Sequence, residues 1–197
     1  MESLNRTLFL LLNAPADPPP FLLSLARILA QWAIWLVPPA LVLGWLRGND
    51  RLRRILLQAA GAGAVGLLIN QLIGLFWQHQ RPFMLGLGHT FLDHAPDSSF
   101  PSDHLTLCWA VAFNLLLQQK TRTAGLLLAV LGLPVAWARI YLGVHFPLDM
   151  VGAALVALFS ALLLRYEGRA IDWLHRPLTS GYRHLAAPLI RRGLLHK

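Results

Sequence analysis

Apolar residues fall in long blocks along this chain, and charge, proline and glycine gather in short clusters between them. The blocks cover residues 21–46, 55–77, 104–118, 124–142 and 147–164, a pattern that predicts helices laid across a lipid bilayer. The first block is long enough to cross with tilt, and Pro38 and Pro39 predict a kink in it. In the second, Gly61, Ala62, Gly63 and Ala64 allow a neighbouring helix to approach closely. A shorter apolar stretch, 8–12, follows Glu2 and Arg6 and ends at Pro15, Pro18, Pro19 and Pro20. It is too short for a hydrocarbon layer of about 30 Å, and an interfacial or re-entrant helix is expected there. The reading is an all-α integral membrane protein with five spanning helices and this short N-terminal helix. Residues 1–165 form the membrane-embedded domain, and 166–197 form a basic, weakly amphipathic tail. No internal repeat interrupts this layout.

Composition agrees. Of 197 residues, 56% are hydrophobic and only 13% charged, with a mean hydropathy of +0.53; soluble domains carry about 25% charged residues. The single cysteine, Cys108, excludes an internal disulfide and is expected to pack within its apolar run. The net charge of +8 does not call for nucleic acid, because basic loops between apolar spans explain it. Arg47, Arg51, Arg53 and Arg54 lie between the first two blocks, and Lys120 and Arg122 between the third and fourth. Arg165, Arg169, Arg176, Arg183, Arg191, Arg192 and Lys197 lie in the tail. All three segments fall on one side of a five-span layout, which identifies that side as the cytoplasm.

Three short motifs fall on the opposite side: Gln80-Arg81-Pro82, Phe100-Pro101-Ser102-Asp103-His104, and the run from Arg139 to Asp149 that contains His145. They supply two arginines, two histidines, a serine and a carboxylate at three neighbouring span ends. Ser102 sits where a helix N-cap belongs, and Pro147 where a first helical residue belongs, so two helix N-termini are expected to face one anion. Asp149 falls close to His145, where a carboxylate holds one imidazole nitrogen and leaves the other free to attack. The planar forks of Arg81 and Arg139 suit phosphate oxygens. Taken singly, Ser102 reads as a cap, Asp149 as a partner of the helix dipole, Arg81 as an interfacial residue and His145 as a packing residue. Together they read as a site that holds, attacks and protonates a phosphate. In a membrane protein that phosphate belongs on a lipid.

The residues Arg81-Pro82, Pro101-Ser102-x-His104 and Arg139-x5-His145-x3-Asp149 resemble the three-part signature of the type 2 phosphatidic acid phosphatase superfamily. The resemblance covers about 74–149. The Pro-Ser-Asp-His form, the short chain and Phe83 after Arg-Pro are most similar to the bacterial undecaprenyl-diphosphate phosphatases of the bacitracin-resistance type. Two positions depart from the signature: its lysine falls at Gly74 and its serine at Ala138. Gln78, His79 and Gln80 are candidates to replace the lysine.

The resemblance implies an acid-phosphatase-like helical bundle and a membrane enzyme of the bacterial inner membrane whose site faces the periplasm or exterior. It implies His145 as nucleophile, Asp149 as its orienting acid and His104 as general acid and then base. Arg81, Arg139, Ser102, Pro101 and Asp103 are expected at the substrate; Asp103 must point away, pair with an arginine or handle a proton. Arginines and helix ends supply the positive charge, so neither a metal nor another cofactor is implied. The expected partners are a polyprenyl diphosphate and the bilayer. Other readings are a different lipid phosphate (phosphatidylglycerophosphate, phosphatidic acid or a lipid A phosphate), phosphate transfer to a second lipid, and a scaffold that only binds headgroups. Arg27 is expected as an interfacial anchor, Trp77 and Trp137 as interface-belt or packing residues, and His89 and His94 as solvated loop histidines. Asp93, His94 and Asp97 are metal-ligand types, but their spacing is not that of an established metal site.

Overall fold

The structure, a computed structural model, describes residues 1–192 and Leu195, with only the backbone of Arg169 and Ala170. Among these residues all regular structure is helical. The helices are α1 (Glu2–Leu12), α2 (Pro20–Trp32), α3 (Val37–Arg47), α4 (Asp50–Phe76), α5 (Asp103–Leu116), α6 (Arg122–Tyr141), α7 (Pro147–Tyr166), α8 (Gly168–Leu185) and α9 (Ala187–Arg191).

The first apolar block is broken as its prolines predict. Pro38 and Pro39 have no N–H to give back to the preceding turn, and the chain tightens into a 3-10 turn over Ala33–Leu36 between α2 and α3. Helix α4 starts cleanly because the Asn49 side chain accepts the Leu52 N–H at 3.1 Å.

The span count differs from expectation. Among the described residues, four helical segments are long and apolar enough to cross a membrane: Pro20–Arg47, Asp50–Phe76, Gln119–Tyr141 and Pro147–Tyr166. The expected third span is α5, and its 14 residues rise only about 21 Å. A short helix suffices there because α4, α6 and α7 surround it. Its Leu105, Ala110, Val111 and Ala112 are buried, and so is Cys108, as its apolar run implies. Polar side chains tie it in place: Asn70 on α4 donates to Thr106 at 3.0 Å, Asn114 donates to the Ala161 carbonyl at 3.4 Å, and Gln118 donates to Gln58 at 3.2 Å. In a lipid-facing bundle such groups need internal partners.

The basic loop and the tail meet at one end of the bundle. Arg54 pairs with Asp172 of α8 at 2.7 Å, Arg183 pairs with Asp50, and Tyr182 donates to the Leu46 carbonyl at 3.2 Å. Arg53 is fully buried, with its guanidinium 4.1 Å from the centre of the Tyr182 ring and its Nε on the Trp45 carbonyl. Lys120 reaches Asn49 at 2.9 Å. The described part of the tail is helical: α8 packs Ile171 and Thr179 inward while Trp173, Leu174 and Leu185 stay exposed. Lys197 lies outside the described residues, as does the side chain of Arg169.

The other end carries the motifs, and α1 braces it. Phe9 is fully buried edge-on to Phe146, with ring centres 5.3 Å apart, and Asn5 accepts the Leu148 N–H at 3.0 Å. This short helix thus supports the start of α7. Replacing Phe9 with alanine should cost about 3–5 kcal/mol of stability through the cavity it leaves. Thermal denaturation in detergent should show a clearly lower midpoint; an unchanged midpoint would mean that α1 does not hold α7.

Candidate active site

His145 lies in the short connection from α6 to α7 and is 1% exposed. Its Nδ1 is 3.1 Å from Oδ2 of Asp149, one helical turn on. That oxygen also accepts the Phe146 N–H at 2.7 Å and the Ser99 hydroxyl at 2.5 Å. A carboxylate with two such donors stays in place and accepts a hydrogen bond from the imidazole N–H at Nδ1. Nε2 is then a lone-pair acceptor, and its neighbours agree: Arg81 Nη1 lies 3.1 Å away and Arg139 Nη2 3.3 Å away, and guanidinium groups only donate.

Both arginines are nearly inaccessible, at 4% and 2% exposure. Arg81, just past α4, is held on three sides. It donates to Asp97 at 2.8 Å, to the Val144 carbonyl at 2.9 Å and to the Ser98 carbonyl at 3.1 Å. Arg139, near the end of α6, is held more loosely. It donates to the Ala30 carbonyl at 3.2 Å and to His94 Nε2 at 3.2 Å, it has no carboxylate partner, and its Nε has no hydrogen-bond partner. Burial, followed by the positive charges of Arg139 and Arg81, holds the pKa of His145 well below the ordinary histidine range.

Ser102 is the N-cap residue of α5, but its hydroxyl caps nothing: it is fully buried without a hydrogen-bond partner. Pro101 is buried beside it and, with Arg81, Gly74, Gln78, Asp97 and Asp103, lines a polar cavity. The expectation of two helix N-termini open to one anion is corrected. The start of α7 is closed by Asp149 on the Phe146 N–H and by Asn5 on the Leu148 N–H. Asp103 resolves to pointing away from the arginines. Asn70 and Gln71 of α4 donate to its carboxylate at 2.8 and 3.3 Å, and neither arginine pairs with it. The His104 side chain makes no hydrogen bond among the described residues. It lies in the wall of an apolar groove of about 300 Å³ with Ile34, Trp35, Pro38, Leu67 and Leu107.

Motifs one and three therefore meet at one nitrogen, His145 Nε2, and motif two starts α5 beside them. The model of the PAP2 superfamily matches residues 55–170, which contain all of them. The chain belongs to the PAP2 superfamily. It is similar to the putative undecaprenyl-diphosphatase YbjG of Escherichia coli (strain K12), 40% identical over 98% of both chains. It is also similar to the undecaprenyl-diphosphatase BcrC of Bacillus subtilis (strain 168), 36% identical over 71% of this chain and 72% of that one. Two crystal structures share its fold. Aquifex aeolicus LpxE gives a TM-score of 0.64 at 22% identity, covering 82% of this chain and 94% of that chain. The PAP2-type phosphatidylglycerolphosphate phosphatase of Bacillus subtilis gives 0.62 at 20% identity, covering 83% and 84%.

At the positions where this PAP2 chain departs from the signature, Gly74 stands on the wall of the polar cavity and Ala138 is packed in the core. Of the candidates to replace the lysine, Gln78 lines that cavity, whereas His79 faces Glu2 and the Phe146 ring. Arg27 anchors α2 to the Phe91 carbonyl at 3.2 Å, Trp77 packs on Phe100, and Trp137 packs on Tyr141. Asp97 is engaged by Arg81, and the described residues contain no group of three or more His, Cys, Asp or Glu able to hold a metal. Two residues of the PAP2 site escaped sequence reasoning. Ser99, directly before motif two, holds Asp149. His94, expected to be solvated, sits on Arg139 with its ring 6.2 Å from that of His145. A lone loop histidine carries no signal of this, since only the fold of the loop brings it to α6.

A depressed pKa means that His145 is neutral across the physiological range and gains its second proton only in acid. Nitrogen-15 histidine NMR should show, at neutral pH, one uncharged ring protonated on Nδ1 that titrates with a midpoint below 6.5, and His145→Gln should remove that resonance. A midpoint for this ring at or above 6.5 would contradict the geometry.

Proposed function

We propose that this chain hydrolyses undecaprenyl diphosphate to undecaprenyl phosphate through a phosphohistidine on His145, returning a cell-wall lipid carrier to use. The observation that carries this is the Nε2 lone pair of His145, fixed by Asp149 and met by two buried guanidinium groups. The curated relatives named as undecaprenyl-diphosphatases support the choice of lipid. A headgroup-binding scaffold needs the arginines but has no use for a histidine oriented in this way.

The terminal phosphate lies against Arg81 and Arg139, whose donors turn from Nε2 to its oxygens, and against the unpartnered Ser102 hydroxyl. These groups neutralise the charge that develops on the equatorial oxygens. The Nε2–P bond forms as the bond from phosphorus to the bridging oxygen breaks, and Asp149 stabilises the imidazolium. Burial, followed by the charges of Arg139, His94 and Arg81, pushes the pKa of His104 down to about 3. The bound phosphate offsets the arginine charge and lets His104 carry the proton that it gives to the departing oxygen. His104 then takes a proton from the water that cleaves the P–N bond and releases phosphate. In-line attack places the leaving group opposite His145. The apolar groove beside His104 suits the start of the lipid chain on that side.

The protein acts in the bacterial plasma membrane with this site on the outer face. Supporting that orientation, Arg47, Arg51, Arg53, Arg54, Lys120 and the basic α8 gather at the far end of the bundle, where positive charge marks the cytoplasm. Residues 166–197 then form the cytoplasmic tail.

Purified protein should release phosphate from undecaprenyl diphosphate with a chelator present, and His145→Ala should reduce release to background. His104→Ala should lower kcat by about 10²–10⁴-fold. The acidic limb of kcat/KM, which reports His145, should fall below pH 6.5, in keeping with its depressed pKa. No release by the wild type would point to another lipid phosphate, and equal release by wild type and His145→Ala would remove His145 as nucleophile.

A further inference from the structure

We infer that His94 is a phosphate-binding residue of this site, changing from hydrogen-bond acceptor to donor by taking up a proton as the anion enters. The inference rests on the function proposed above and names a recognition residue that lies in none of the three motifs.

The hydrogen bonds of His94 define its tautomer. Its Nδ1 lies 3.1 Å from the Ala95 carbonyl, which only accepts, so the proton is on Nδ1. Its Nε2 accepts from Arg139 Nη2 at 3.2 Å. The same Nη2 also reaches His145 Nε2 at 3.3 Å. One guanidinium nitrogen therefore serves two imidazole lone pairs at the place where a phosphate oxygen must go. When that oxygen takes Nη2, the lone pair of His94 is left facing an anion, which is unfavourable. A proton on Nε2 reverses the interaction into a charge-assisted hydrogen bond.

The surroundings favour this change only when an anion is present. The charged and titratable groups around His94 come from several elements: Arg81 past α4, Arg139 on α6, His145 before α7, His104 on α5, and Asp97 on its own loop. Burial and then the Arg81 charge hold the pKa of His94 below the ordinary value, while the Ala95 carbonyl and Asp97 act the other way. A phosphate placed between the arginines offsets their charge and favours the imidazolium. Asp97 is positioned to stabilise it, with Oδ1 3.7 Å from His94 Nδ1 and anchored on Arg81. His94 and Asp97, three residues apart, thus link the two arginines through one loop.

The test uses the whole protein in detergent and titrates methylenediphosphonate, a diphosphate that cannot be cleaved at its bridge. Calorimetry at pH 7.5 in two buffers of different ionisation enthalpy counts protons. His94→Gln is the decisive variant, because its side-chain oxygen still accepts from Arg139 but gains no proton. Wild type should take up roughly one proton more than His94→Gln and bind about ten- to a hundredfold more tightly. For undecaprenyl diphosphate, His94→Gln should raise KM by at least about tenfold and change kcat much less. Equal affinity and equal proton count in the two proteins would overturn the inference and leave His94 as a support for Arg139; so would a wild type that does not bind the probe. Proton-coupled binding in a wild type that fails to hydrolyse undecaprenyl diphosphate would keep His94 and overturn the proposed substrate instead.

Discussion

The structure turns on two guanidinium groups buried around one imidazole nitrogen. An unpaired arginine in the apolar part of a membrane is costly, by about 2.5–3.5 kcal/mol on insertion scales. Arg81 meets that cost with Asp97 and two loop carbonyls. Arg139 has one carbonyl and two histidines, and no carboxylate. In the proposed reaction the phosphate would meet the guanidinium that, among the described residues, no carboxylate pairs with. The rest of the motif end serves that arrangement. Asp149 and Ser99 fix the ring of His145, Asn5 and Phe9 fix the start of α7, and the loop between α4 and α5 brings Asp97 and His94 onto the arginines.

That loop can reach across the site because α5 stands at the centre of the bundle and delivers motif two beside motif three. Hydrogen bonds from Asn70, Asn114 and Gln118 fix the height of α5 relative to α4 and α7, so Ser102 and His104 stay level with His145. At the far end, Arg53, Arg54 and Arg183 join α4 to α8. These arginines thus close the base of the bundle.

Much of this was legible in the residues. Apolar blocks bounded by charge located the long helices, and paired prolines located the break between α2 and α3. The Arg139, His145 and Asp149 spacing located the core of the site, because a helix that starts at Pro147 puts Asp149 one turn from His145. The parts that were not legible depend on tertiary structure. Block length alone does not show that α5 is enclosed by protein, which is why a 14-residue helix read as a span. Ser102 has the sequence position of a cap, but its buried hydroxyl bonds to nothing, a fact of packing rather than of pattern. The partners of Asp103, two amides of α4, likewise come from another helix. Ser99 and His94 are ordinary loop residues until the loop folds over Asp149 and Arg139.

The central claim is that His145 carries the phosphoryl group. The most direct measurement is to quench the enzyme during turnover of diphosphate lipid labelled in its terminal phosphate and to locate the label by mass spectrometry under alkaline conditions. The account predicts an acid-labile, alkali-stable phosphate on the peptide containing His145, absent from His145→Ala and accumulating in His104→Ala, which forms the intermediate faster than it hydrolyses it. Label on another residue, or turnover with no protein-bound phosphate in any of the three proteins, would contradict it.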